Sequence, residues 1–331
     1  MLLAAGFGGR MVPVTFFRAK PALPFLGRPL LLRQLDHLQA AGVTEVVVNV
    51  HHHALSLLEL LAAGTAGDAV GTLPPAPSLT ELAAARPGPF RVGDLEVHVS
   101  IETDILGTSG GLAAAADHFR DGTFLCLNAD FICDVDLAAA VRRHRDRGAT
   151  ASMVLRPLRP GERFTPVRHA DGAVVSFRGA DDAAGETTAG PPAVFTGIHV
   201  LEPAILGALP EGRSGFLPAL YEPMIARGTP PAADLIDAAW HEVGTPERYL
   251  EVQLALKDGA GLAFHRAWSP RGGGPLVGTE TVIDPDARCG GALIAGERVR
   301  VAAEADVDRA VLMDGVQVER GARLRDVVIG P

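Results

Sequence analysis

Cysteine is scarce in this chain, with three among 331 residues, at Cys126, Cys133 and Cys289. So few, so scattered, exclude a disulfide framework and a cysteine-based zinc site. Cys126 sits inside an apolar run and reads as a buried, reduced thiol. Long apolar runs are also missing. None reaches the roughly 18 residues of a membrane span, and no secretory leader is recognisable. Positive charge is in deficit, with 30 Lys and Arg against 39 Asp and Glu and a net charge of −9. That balance argues against nucleic acid as a partner. It leaves small anionic substrates open, because a local basic pocket fits inside an acidic protein. A cytoplasmic protein that crosses no membrane is the expectation.

Hydrophobic residues make up 47% of the chain, enough for a sizeable core and against disorder. The length suits one large domain and a smaller one. Glu45-Val46-Val47-Val48-Asn49-Val50 is a β-branched run with little alternation, as in a strand buried on both faces. Thr123 to Asn128 reads the same way. Between Pro29 and Ala41, Leu31, Leu35 and Leu38 share a helical face, and Gly42 ends that helix. Asp136 to Arg147 reads as a second helix, capped by Asp134 or Asp136 and stopped by Gly148. Strand alternating with helix predicts a Rossmann-like, mostly parallel sheet with helices on both faces. Ligands of such sheets bind at the carboxyl ends of the strands. Only Met1-Leu2-Leu3 precede Ala4-Ala5-Gly6, so the first strand is expected to be very short, with the true start upstream. Residues 64–94 and Asp181 to Pro192, rich in Gly, Pro and Ala, read as irregular surface insertions.

After about Gly272 the period changes. Leu293, Val299, Ala305 and Val311 recur every six residues, as do Val301, Val307 and Met313, and then Val316, Ala322 and Val328. An apolar period of six marks a parallel β-helix of stacked coils. Domains are expected at 1–265 and 272–331, with homo-oligomerisation through the tail, whose open end needs a cap.

The chemistry concentrates at the start, in Leu2-Leu3-Ala4-Ala5-Gly6-Phe7-Gly8-Gly9-Arg10-Met11 and Lys20-Pro21-Ala22-Leu23-Pro24. Glycines let backbone amides approach a phosphate, and the two cations neutralise it. The cluster is not a dinucleotide fingerprint, since Met11 stands at the third glycine and no acidic residue ends the next strand. It is not a P-loop either, for no Gly-Lys-Ser/Thr follows. His51, His52 and His53 are consecutive, so they do not share a face, and they read as a strand-end turn rather than a metal site.

The paired opening motif resembles the signature of the sugar-1-phosphate nucleotidyltransferases. Gly9 stands where that signature has Ser or Thr, and Ala19 where it has proline. Four further segments resemble the family in the expected order: Glu102 to Gly111, Leu125 to Asp130, Phe195 to Val200, and Trp240 to Tyr249. The last two look most like the mannose-1-phosphate guanylyltransferase branch. The resemblance spans roughly residues 2–258, and a left-handed β-helix tail of hexapeptide repeats is a companion domain in this family.

What the resemblance implies is a magnesium-dependent enzyme. It joins a nucleoside triphosphate to a sugar 1-phosphate, foremost GTP and mannose 1-phosphate, and releases pyrophosphate. Uridylyl or thymidylyl transfer to another sugar phosphate is the near rival. A regulatory homologue that binds nucleotide sugar without turnover is the rival class. Carried over residue by residue, Arg10 and Lys20 are catalytic, and Asp130 and Glu242 hold Mg²⁺. Leu3, Ala5, Gly6, Gly8, Gly9, Glu102, Gly107 and Thr108 bind the nucleotide, and Asn128, Thr196 and Gly197 the sugar phosphate. Physical chemistry agrees on the charged groups. Two polyanions must meet, so cations and metal come before any acid or base. Arginine forks onto phosphate oxygens, lysine serves as a compact point charge, and Mg²⁺ prefers carboxylates. Two departures stand out. Glu242 replaces the family's Asp, and Gly179-Ala180 stand where many members have a Glu-Lys pair, leaving Arg168 or Arg178 as substitutes for that lysine.

Overall fold

In the computed structural model, which describes residues 1–64, 77–119, 121–177, 190–259 and 274–330, the run Glu45–Val50 is a strand with its last five residues buried. It lies inside a ten-stranded sheet. The strands are β1 (Leu2–Leu3), β2 (Glu45–Val50), β3 (Phe90–Val92), β4 (Leu95–Ile101) and β5 (Phe124–Asn128), then β6 (Ala151–Pro157), β7 (Arg168–Ala170), β8 (Ala173–Ser176), β9 (Ala193–Leu201) and β10 (Ala232–Leu235). Their spatial order is β7-β8-β10-β6-β9-β5-β1-β2-β4-β3. The central four, β5-β1-β2-β4, run parallel. β9 runs antiparallel to both β5 and β6, and β3 joins β4 as an antiparallel hairpin. The sheet is therefore mostly parallel at its centre and mixed toward its edges.

Two compact units are built from this chain, each discontinuous in sequence. The first comprises Met1–Gly6, Leu38–Ala129 and Val135–Ala238; the second Phe7–His37, Asp130–Asp134 and Ala239–Pro331. The sheet belongs to the first unit. Residues 260–273, around the boundary expected from the change of period, lie outside the described residues.

Both expected helices form. Leu30–Ala40 buries Leu31, Leu35 and Leu38 completely, and Gly42 follows at φ +85°. Leu137–Asp146 is capped by Asp136, whose Oδ1 accepts from the amide of Ala139 at 2.7 Å. Cys126 is buried within β5, and burial pushes its thiol up to about 12. The stretch expected to be an irregular insertion proves ordered where it is described. Leu79–Ala85 is a helix opened by a Ser78–Glu81 capping box, and Phe90–Val92 extends the sheet. Ser-x-x-Glu ahead of an apolar residue is the signal that reveals such a start. Residues 65–76 and 181–189 lie outside the described residues.

In the second unit, Phe131–Cys133 pairs antiparallel with Trp240–Glu242. Helix Pro246–Lys257 follows, with the Thr245 hydroxyl accepting from the amide of Arg248 at 3.3 Å. The tail strands all pair in parallel. Val282 pairs with Arg300 and Arg300 with Gln317, so the chain advances by 18 and then 17 residues between neighbours (300 − 282 and 317 − 300). Small parallel sheets with this register are compatible with a β-helix.

The strict six-residue period fails at two places, from Ala305 to Ala310 and from Ala322 to Val327, the latter putting Val328, expected to face inward, in a different cluster. Leu293, Val299, Ala305, Ala310 and Val316 share one buried cluster, so a five-residue side separates Ala305 from Ala310. Beyond it, Val311 and Met313, expected to face inward, join Ile294 in a different cluster with Leu250 and Leu254 of helix Pro246–Lys257. The corners confirm both slips. Arg298, Glu304, Arg309, Gly315, Gly321 and Asp326 all have positive φ; Arg309 follows Glu304, and Asp326 follows Gly321, by five residues where the others are six apart. Among the described residues, no helix is long and apolar enough to cross a membrane.

Candidate active site

The second unit brings four expected charged residues together in two ion pairs. Gly8 sits at φ +61° with its α-carbon close against the Thr15 and Lys20 side chains; an added Cβ would lie 3.2 Å from Thr15 Cγ2 and 3.3 Å from Lys20 Cβ. Glycine is required there by both conformation and space. The Thr15 hydroxyl donates to the Gly8 carbonyl at 3.1 Å. Lys20 is thereby fixed, and its Nζ donates to Asp130 Oδ2 at 2.9 Å. The Lys20 side chain is only 9% exposed against 33% for Asp130. Arg10 is 70% exposed and donates from Nη2 to Glu242 Oε1 at 2.7 Å.

Strand pairing explains why the two carboxylates stand on neighbouring backbones. Glu242 pairs with Phe131, the residue after Asp130, and the amide of Val243 donates to the Asp130 carbonyl at 2.9 Å. Gly244 leaves room for the longer Glu242 side chain: a Cβ there would meet its carboxylate at 3.0 Å. Two accessible carboxylates on neighbouring backbones form an all-oxygen donor set that fits a hard dication such as Mg²⁺. Glycines 6 and 9 are different from Gly8. A Cβ on either would meet nothing within 4 Å, so packing does not demand glycine and the space above them is open.

In the first unit the remaining candidates gather at strand ends. Leu3 pairs with Asn49 on one side and Asn128 on the other, placing all three at one level on the carboxyl side of the parallel strands. Ala5 follows, buried. Asn128 lies against Gly197, which has φ +81° and whose added Cβ would sit 2.9 Å from Asn128 Nδ2. The pairing of β9 with β6 shifts register between Phe195 and His199, and Gly197 occupies that irregularity. Thr196 is buried, with its hydroxyl donating to the Val154 carbonyl at 2.8 Å.

Glu102 is 2% exposed. Its Oε1 accepts from Asn49 Nδ2 at 2.6 Å and its Oε2 from the Leu106 amide at 2.8 Å. Asn49 Oδ1 in turn accepts from the Ala4 amide at 2.7 Å. Helix Gly107–Ala114 packs directly on this pair, since a Cβ at Gly111 would lie 2.6 Å from Glu102 Oε1. Gly107 has φ +74°, with a virtual Cβ 2.5 Å from the Ser214 carbonyl, and the Thr108 hydroxyl accepts from the Phe216 amide at 3.1 Å.

Asn49 is the residue that sequence reasoning passed over. A lone amide inside a β-branched run signalled it, for a buried polar side chain needs partners. Of the substitutes for the missing lysine, Arg168 opens β7 with its Nε buried and without a hydrogen-bond partner. Arg178, Gly179 and Ala180 lie outside the described residues.

Comparison with known proteins points one way. The family described as Nucleotidyl transferase matches residues 1–259. A mannose-1-phosphate guanylyltransferase of Mycobacterium tuberculosis is 27% identical over 97% of this chain and 81% of its own length. A UTP–glucose-1-phosphate uridylyltransferase of Synechocystis is 26% identical over 99% of this chain and 86% of its own. Among solved structures, a putative glucose-1-phosphate thymidylyltransferase from Bacillus anthracis superposes with a TM-score of 0.57 at 16% identity, covering 77% of this chain and 93% of that one, and so shares the fold.

Proposed function

The chain belongs to the nucleotidyl transferase family, and from that premise we propose the reaction, the substrate pair and the role of each residue. The reaction joins a nucleoside triphosphate and a sugar 1-phosphate into a nucleotide sugar and pyrophosphate. GTP and mannose 1-phosphate are the leading pair, supported by the guanylyltransferase relative.

An oxygen of the sugar phosphate attacks the α-phosphorus in line, and pyrophosphate leaves with both electrons of the broken bond. No proton must be taken from the nucleophile, so positioning and charge carry the catalysis. Arg10, exposed and able to fork, binds the leaving β- and γ-phosphates. Lys20, held in place by Gly8 and Asp130, sets its ammonium against the charge that develops at the α-phosphate. The open spaces above Gly6 and Gly9 admit phosphate to backbone amides. Asp130 and Glu242 are the residues that would hold Mg²⁺, which when bound neutralises phosphate oxygens.

In the first unit, Leu3, Ala5, Gly107 and Thr108 frame the nucleotide. Glu102, with both oxygens engaged internally, serves that site by fixing the loop ahead of Gly107. Asn128, Thr196 and Gly197 line the sugar-phosphate side, Thr196 through its backbone because its hydroxyl is spent on Val154. The tail is read as a left-handed β-helix through which copies assemble.

The observation that carries this reading is the linked set Lys20–Asp130 and Arg10–Glu242, assembled from three separate stretches of sequence. Its test is pyrophosphate release across a panel of triphosphates and sugar 1-phosphates with Mg²⁺. Turnover with at least one pair is expected, best with GTP and mannose 1-phosphate. Absence of turnover with every pair, alongside nucleotide-sugar binding, would replace the enzyme with a regulatory homologue.

A further inference from the structure

At the amino end of the same sheet, away from every residue considered above, three metal-binding side chains converge. Glu45 is the first residue of β2 and His98 the fourth of β4. His118 ends the short 3₁₀ turn Ala116–His118 that follows helix Gly107–Ala114. His98 Nε2 lies 3.3 Å from Glu45 Oε1, and His118 Nδ1 lies 4.0 Å from the same oxygen. One ligand atom from each residue falls within 4.8 Å of the other two. The imidazole rings stand 4.9 Å apart. Along β2, Glu45 is four residues from Asn49, roughly 13 Å at strand rise, so this cluster is distinct from the strand ends that carry the nucleotide.

Hydrogen bonding alone does not account for the arrangement. His98 Nε2 has a second carboxylate oxygen, Glu96 Oε1, at 3.2 Å, and one N–H cannot point at both. Glu45 and Glu96 are direct partners across the β2–β4 pairing, a like-charge juxtaposition that is unfavourable by itself. Arg91 Nη2 lies 3.6 Å from the other oxygen of Glu96. Two anions and two imidazoles around one point are what a dication would neutralise. Access is open: Glu45 and His118 line a cavity of about 560 Å³, and both side chains are more than a third exposed.

We propose that Glu45, His98 and His118 form a second metal site, which takes a divalent transition ion such as Zn²⁺ or Co²⁺. Two imidazoles and a carboxylate suit Zn²⁺, Co²⁺ and Ni²⁺ and disfavour Mg²⁺, which demands oxygen. Metal–nitrogen bonds of about 2.0–2.1 Å in a tetrahedral site set ligand atoms roughly 3.3 Å apart. The Glu45–His98 pair already has that spacing, and His118 closes on it by less than 2 Å. Glu96 or water completes the shell. Bound there, the ion clips the 3₁₀ turn to the edges of two strands.

The test uses untagged full-length protein, stripped with chelator and held in excess Mg²⁺ so that oxygen-only sites stay filled. Co²⁺ is titrated by visible absorption and Zn²⁺ by calorimetry. One equivalent is expected, with the visible bands of nitrogen-ligated Co²⁺ and a thermal midpoint raised by Zn²⁺. His98→Gln and His118→Gln each weaken binding about 100-fold, since a lost ligand costs at least as much as a lost supporting contact. Both variants keep the thermal midpoint of the metal-free parent, which shows that they fold. A His52→Gln/His53→Gln variant binds as the parent does. Failure of the parent to bind, binding that survives both ligand substitutions, or binding lost with His52 and His53 would each overturn the assignment. None of these readouts depends on turnover, so the site and the proposed reaction fail separately.

Discussion

Lys20 donates to Asp130 across 110 positions of sequence, at 2.9 Å, with the lysine nearly buried and the carboxylate a third exposed. The asymmetry matters. An ammonium enclosed this way is held still by its surroundings, while its partner remains within reach of a ligand. That is how a preorganised cation differs from an ordinary surface lysine, which spends its time solvated.

Replacing that lysine by methionine keeps the stem packed against Gly8 and removes only the charge. Lys20→Met is expected to lower kcat by about 10²–10³, on the order of 3–4 kcal/mol of lost stabilisation. Steady-state pyrophosphate release with the best substrate pair gives the value. A change below fivefold would remove Lys20 from the catalytic group.

Gly107 tests the frame instead of the charges. An alanine there must adopt φ +74° and place its Cβ 2.5 Å from the Ser214 carbonyl. The left-handed conformation alone costs about 1–2 kcal/mol, and the carbonyl must move. Gly107→Ala is expected to lower the urea midpoint and raise KM for the triphosphate. Gly122→Ala, also at positive φ but in open space, should show the strain without the change in KM.

His199 sets an acid limit on stability. Burial holds its imidazole down, to about 3, with Tyr221 hydrogen-bonded to Nδ1. The unfolded chain takes up a proton near pH 6.5 while the folded one does not. Stability from this group is therefore full above about pH 6.5 and falls as pH drops toward 3, by roughly 1.4 kcal/mol per pH unit. Unfolding curves between pH 7 and 5 should show that slope. His199→Gln should flatten it, whatever the variant does to stability at pH 7.

Much of this was legible in sequence because it is local. The buried strand at Glu45–Val50, the Asp136 cap and the glycine-rich opening each declare themselves within a few residues. Glu102 did not. Its neighbours in sequence suggest a loop carboxylate, but its fate is set by Asn49, 53 positions away, and by the missing side chain of Gly111. The Ser78–Glu81 box was local and was masked by the surrounding Gly, Pro and Ala. In the tail, a six-residue period is visible, but the five-residue sides are not, because shifting one apolar residue for another leaves composition unchanged. Only the partner helix distinguishes Ala310 from Val311.

That short side has a price for the tail's freedom to change. Were the side after Ala305 to run six residues and end on Val311 in place of Ala310, Val311 and Met313 would turn toward the stack. Leu250 and Leu254 would then lose the apolar floor on which their helix rests. The irregular edge is thus the latch between the stacked tail strands and the helix, and a more regular sequence would make a better stack and a worse protein.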